Sequence, residues 1–177
     1  MSERRRPPTG TEAAEHPRPP EPAPAPAALR NVPPRIARMN LPEPEDLTSL
    51  VLRTDFSDAA AWEAVRAALD ATDEGPQATY VSDTAFEGAD VQALVEADAA
   101  ADDDDKLFHV FVADTVTMTD AERPLLAVDL ADEPGRTFRV PPRWYADVSA
   151  NLTIANLDFA DFADAVDATG TYRGLGD

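Results

Sequence analysis

Three apolar runs in this chain each close on an aspartate. Asp55 closes LVLRT, Asp83 closes TYVS and Asp114 closes FHVFVA. Carboxylates gathered at one edge of a sheet could hold a hard cation. Mg²⁺ takes carboxylate oxygen and keeps several waters, which suits phosphate chemistry. The competing expectation is simpler: an Asp at such a junction accepts a backbone N–H and starts the next helix or turn. Capping is the stronger expectation, and a metal site at Asp55, Asp83 and Asp114 is the minority one. The chain lacks the Asp-x-Asp-x-Thr/Val signature of aspartyl phosphotransferases, and its only lysine, Lys106, precedes a strand.

The other chemistry-bearing residues are few. His109 sits mid-run beside Phe108 and Val110. A general base belongs at a strand end or loop with an orienting partner, and pairing with Ser57 or Ser82 has no support in the sequence. His109 therefore reads as a packed strand residue. No glycine-rich phosphate loop follows the first run. Arg136, Arg139 and Arg143 form a local basic cluster. Arg136 and Arg139 stand at odd separation, so they face opposite sides of a strand and do not make one anion site. Trp144 and Tyr145 are a candidate partner-binding anchor, since aromatics are favoured there. The helical spacing of Trp144 to Val148 argues instead for the core. No catalytic set emerges.

The runs that carry these residues read as strands, separated by helical patterns. Residues 47–56 form the first strand. Ser57 or Asp58 caps a helix with Trp62, Val65, Arg66 and Leu69 on one face. Residues 78–82 form the second strand, and Asp90 caps a helix presenting Val91, Leu94 and Val95. Residues 102–105 are four aspartates and read as a solvated loop, since they lack the ligand spacing of a calcium site. Residues 107–113 form the third strand. Thr119 and Glu122 match a capping box. The fourth strand, 125–130, follows a link short for a parallel crossover, so it can be antiparallel. That choice decides whether Asp129 joins the other aspartates. Asp132-Glu-Pro-Gly-Arg136 is a turn into a fifth strand, 137–140. A helix then carries Trp144, Val148 and Leu152, and Asp158 caps a last one.

The expected fold is α/β: a small mixed, mainly parallel sheet of about five strands with flanking helices and a C-terminal helix pair. Its size fits one domain, 47–177. Residues 1–44 hold twelve of the seventeen prolines, and residues 1–28 contain no Val, Ile, Phe, Trp or Tyr. Residues 1–46 are thus expected to be a disordered Pro-rich tail, with Met39 as an alternative start.

The charge is segregated too. Residues 1–46 balance seven arginines against seven acids, whereas 47–177 hold 27 acids against eight basic residues, the whole net charge of −19. Such a domain repels nucleic acid and anionic lipid and favours a basic protein partner. Strong charge also simply aids solubility. There is no cysteine, so disulfides and thiolate metal sites are excluded. No apolar run approaches the ~20 residues that span a bilayer, and a cytoplasmic location is expected.

Four stretches together resemble a known family: the first strand with its cap (50–58), Phe86-Glu-Gly88 with Val91-Gln-Ala-Leu94, the hairpin 124–140, and 151–164. They are similar to an uncharacterised family of small acidic actinobacterial proteins, a domain of unknown function, over about 47–175. The resemblance implies no activity and transfers no site residue. The leading expectation is a non-enzymatic interaction module, of inhibitor, immunity or regulatory type, binding a basic partner and needing no cofactor. The alternative is an Mg²⁺-dependent enzyme acting on phosphates through the aspartate edge.

Overall fold

The computed structural model describes residues 39–71 and 78–175. It is a mixed α/β fold built on one five-stranded sheet, in the order β2-β1-β3-β4-β5. The strands are β1 (Ser49–Arg53), β2 (Ala78–Val81), β3 (His109–Ala113), β4 (Leu125–Asp129) and β5 (Thr137–Val140). β2, β1 and β3 run parallel, while β3–β4 and β4–β5 are antiparallel. The expectation of a mainly parallel sheet is thus corrected: half of the pairings are antiparallel. The physical reason is the short β3–β4 link, since a parallel crossover normally takes a dozen residues or more and an antiparallel neighbour needs fewer.

Alternation along the strands sends side chains to two separate cores. Val51, Phe111, Ala113, Leu125, Ala127, Phe138 and Val140 face one layer. Helices α1 (Ala59–Leu69), α4 (Pro142–Thr153) and α5 (Phe159–Asp164) cover that layer. Leu50, Leu52, Val110, Val112 and Val128 face the other, under α2 (Val91–Ala99). Met39 is buried in this second layer, with Leu41 packed against it. Packing among the described residues therefore reaches back to Met39, ahead of residue 47. Residues 1–38, to which the tail expectation mostly applies, lie outside the described residues.

Local chemistry sets the helix starts. Asp58 accepts from the Ala61 N–H at 3.0 Å and Asp90 from the Ala93 N–H at 2.9 Å. Trp62, Val65 and Leu69 are buried as the spacing predicts, and Arg66 lies over the Tyr80 ring. The short α3 (Thr115–Thr119) starts directly at Asp114, so the box expected at Thr119 instead falls at the helix end. On α4 the inward face holds Tyr145, Val148 and Ser149, about one position round from the expected Trp144 face. At the far edge of the sheet, Arg139 exchanges backbone hydrogen bonds with Gly170 and Tyr172, so the C-terminal segment covers β5.

Candidate functional site

The carboxyl ends of β1, β2 and β3 carry Asp55, Asp83 and Asp114, and each carboxylate accepts from nearby backbone. Asp55 takes the Ser57 N–H at 2.8 Å, and hydrogen bonds from Ser57 hold its pKa below the usual range. Asp83 takes the Ala85 N–H at 2.8 Å. Asp114 takes the Thr117 N–H at 3.1 Å and a bidentate Arg139 at 2.8 and 2.7 Å. Burial pushes the Asp114 pKa up, but Arg139 and Thr117 outweigh it and the net shift is downward. Among the described residues, no three His, Asp or Glu side chains gather as a metal site requires, so these three are not brought together as one. Asp129 lies at the opposite edge, because β4 is antiparallel. Its oxygens accept from the Ala131 and Glu133 N–H groups, both at 2.9 Å, and hold the β4–β5 turn.

The arginine cluster disperses as the odd spacing implies. Arg136 pairs with Glu133 and Asp164, Arg139 with Asp114, and Arg143 lies beside the Trp144 ring. Tyr145 is fully buried, edge-on to Phe111 at 4.9 Å. Trp144 packs beside Tyr172 at 5.9 Å. The Tyr145 ring, on the sheet-facing side of α4, is drawn into the core, while Trp144 is half-buried against it, so the two do not form one surface anchor.

Clefts flank Asp114 and Asp83 at the carboxyl edge, and a further concave region lies at the amino ends of β1 and β3. The register that sets Val51 against Phe111 also sets Ser49 beside His109. Ser49 Oγ is 2.9 Å from His109 Nε2, 2.7 Å from Ser149 Oγ and 3.2 Å from Thr153 Oγ1. With Nε2 unprotonated, Ser49 donates to the ring and accepts from both α4 hydroxyls, which satisfies the group. Burial pushes the His109 pKa down to about 4, against an upward pull from Asp129, so the ring is neutral near pH 7. A hydroxyl–imidazole contact also occurs in nucleophilic sites. Here Ser49 is only 2 % exposed and its oxygen already serves three neighbours, so the group acts as a polar floor.

Two clefts, of about 270 and 250 Å³, adjoin on this floor. Phe108, His109, Leu152 and Thr153 line both, and of these Phe108 projects as the exposed ridge. Glu43, Glu45, Asp46, Asp104 and Asp105 wall the first, with Lys106 the one cation. Lys106 is held by Asp103 at 2.7 Å. Asp129, Asp132 and Asp158 stand along the second. Leu47 and Phe108 line the first cleft yet are 80 % and 79 % exposed. Leu47 and Ala155 also hold left-handed backbone, with φ of 60° and 50°. A bulky residue such as Leu47 is strained in that region.

Sequence reasoning missed this edge. Ser49 and His109 each stand two residues before a core residue, Val51 and Phe111, on facing strands. That parity was the available signal, but it has meaning only once β1 and β3 are known to be neighbours.

No curated protein matches the chain. A family model described as a domain of unknown function, DUF6924, matches residues 48–175, so both the sheet and the floor of this edge lie within it. The chain belongs to that family.

Proposed function

We propose that the domain is a non-enzymatic interaction module that binds a basic protein partner at the acid-walled amino edge of its sheet, as an inhibitor, immunity-type protein or regulator does. The observation that carries this is the exposure of Leu47 and Phe108 at the mouth of a cleft walled by five carboxylates. Exposed large apolar side chains within a charged rim mark interaction surfaces. The surrounding negative charge speeds encounter with a basic partner and makes it salt-sensitive. For the Mg²⁺ alternative, no group of three carboxylates suited to a metal is found among the described residues. Among the described residues no helix is long and apolar enough to cross a membrane, and the reading places the module in the cytoplasm.

The test is retention of proteins from the native host on the immobilised chain. Basic proteins should be held at about 0.05 M salt and released toward about 0.5 M, as screening shortens the reach of the charges. Reversal of Glu45 and Asp46 to lysine should abolish retention. Binding that survives both changes would overturn the proposal.

A further inference from the structure

We infer that the two adjoining clefts read one amphipathic basic segment, taking two of its apolar side chains on either side of the Phe108 ridge while its lysines or arginines meet the carboxylate walls. This rests on the reading above and deepens it from a charge to a recognition pattern. Three observations converge on it. The clefts share Phe108, His109, Leu152 and Thr153, so an occupant of one abuts an occupant of the other. Two large apolar side chains that line the first cleft, Leu47 and Phe108, are 80 % and 79 % exposed among the described residues. Both clefts carry acids, and the single cation among their lining residues is already paired with Asp103.

Charge decides which occupant fits. The acidic part of a second copy would bring acid against acid, since residues 39–177 hold 30 acidic and eight basic side chains. Nucleic acid and anionic lipid are repelled for the same reason. A purely cationic segment would satisfy the walls but leave Leu47 and Phe108 in water. A basic segment with apolar anchors satisfies both. The clefts open at strand ends, where no strand edge runs along them, so side chains rather than an added strand carry the recognition.

Leu47 supplies an independent check. Its left-handed backbone costs stability that asparagine or glycine would not incur. Because its side chain is exposed, replacing it removes no core contact. Leu47→Asn should therefore leave the melting temperature unchanged or higher while weakening the partner. A residue held only for the fold would lose both together.

The experiment uses two labelled synthetic peptides of equal positive charge and fluorescence anisotropy with the full chain. One carries lysines among glycines. The other carries the same lysines with a leucine and a phenylalanine between them. The second should bind about tenfold tighter or more, the effect of anchoring side chains in desolvated pockets. Phe108→Ala and Leu47→Asn should each remove most of that difference with the salt dependence unchanged. Glu45→Lys with Asp46→Lys should weaken both peptides and flatten the salt dependence. Equal binding of the two peptides, insensitive to Phe108→Ala, would overturn the two-anchor pattern and leave the acidic-surface reading standing. Binding of neither peptide at about 0.05 M salt, where screening is weak, would overturn both.

Discussion

His109 is the residue whose protonation the fold resists. Burial lowers its pKa from 6.5 to about 4, so between those values the unfolded chain binds a proton that the native chain does not. The stabilisation from a neutral ring is complete above the unfolded value of 6.5 and is lost as pH falls through about 4. A shift of this size is worth ~3 kcal/mol. His109→Gln keeps a hydrogen-bonding group toward Ser49 but cannot titrate. Urea unfolding at about pH 7 and about pH 4.5 should show the wild type losing ~2 kcal/mol more than the variant over that interval. Equal losses would mean the ring is as easily charged in the native state as in the unfolded one. The aspartates separate in the same way. Asp114→Asn leaves Arg139 half-buried without its bidentate anion and should cost ~2–3 kcal/mol. Asp83→Asn keeps an exposed turn cap and should fall within about 0.5 kcal/mol of wild type. Similar small effects at both sites would show that the Arg139 pair adds nothing to stability.

At the scale of elements, the segment leading into β1 belongs to the fold. Met39 is 5 % exposed against the α2 side of the sheet. A chain starting at Met39 should melt within about a degree or two of the full chain, on the composition of residues 1–38. A chain starting at Thr48 loses the burial of a methionine and should be less stable by ~1.5–3 kcal/mol. Identical melting of the two shortened chains would show that Met39 contributes no packing energy. The start of this packing was hard to read because the few apolar residues around Met39 are broken up by Pro33, Pro34, Pro42 and Pro44, which leave no sustained helical or strand period. The helix caps Asp58 and Asp90 were legible because capping is local chemistry. The rotation of α4 was not. Its spacing allowed Trp144 or Tyr145 to lead the inward face, and the ring of Phe111, from a distant strand, selects Tyr145.

Over the whole molecule the charge acts twice. It attracts a basic partner, and it strains the chain by self-repulsion. Added salt should weaken the complex while leaving the melting temperature unchanged or higher, because the same screening relieves the repulsion. That opposite movement distinguishes loss of binding from loss of fold in the retention experiment. A melting temperature that falls with binding would show that released partner reflects unfolding. Among the described residues the uncovered edge of this sheet is β2, since the C-terminal segment covers β5. The proposed recognition uses neither edge, and its specificity therefore lies in side chains at strand ends.

The sequence by itself determined the α/β class, five strands and their approximate bounds, the capping aspartates and the segregation of charge. All of these follow from interactions between residues close in the chain, or from composition. It left the orientation of β4 open, though the nine residues between Asp114 and Pro124 limited it, because loop length constrains a crossover without dictating it. Only the tertiary structure decided that Ser49, His109, Ser149 and Thr153 share one hydrogen-bonded floor, since those residues are up to 104 positions apart. Only it moved the candidate site from the carboxyl edge, where each aspartate serves the backbone, to the amino edge. Strand neighbours and register create that edge, and neither is encoded in the periodicity of any one strand.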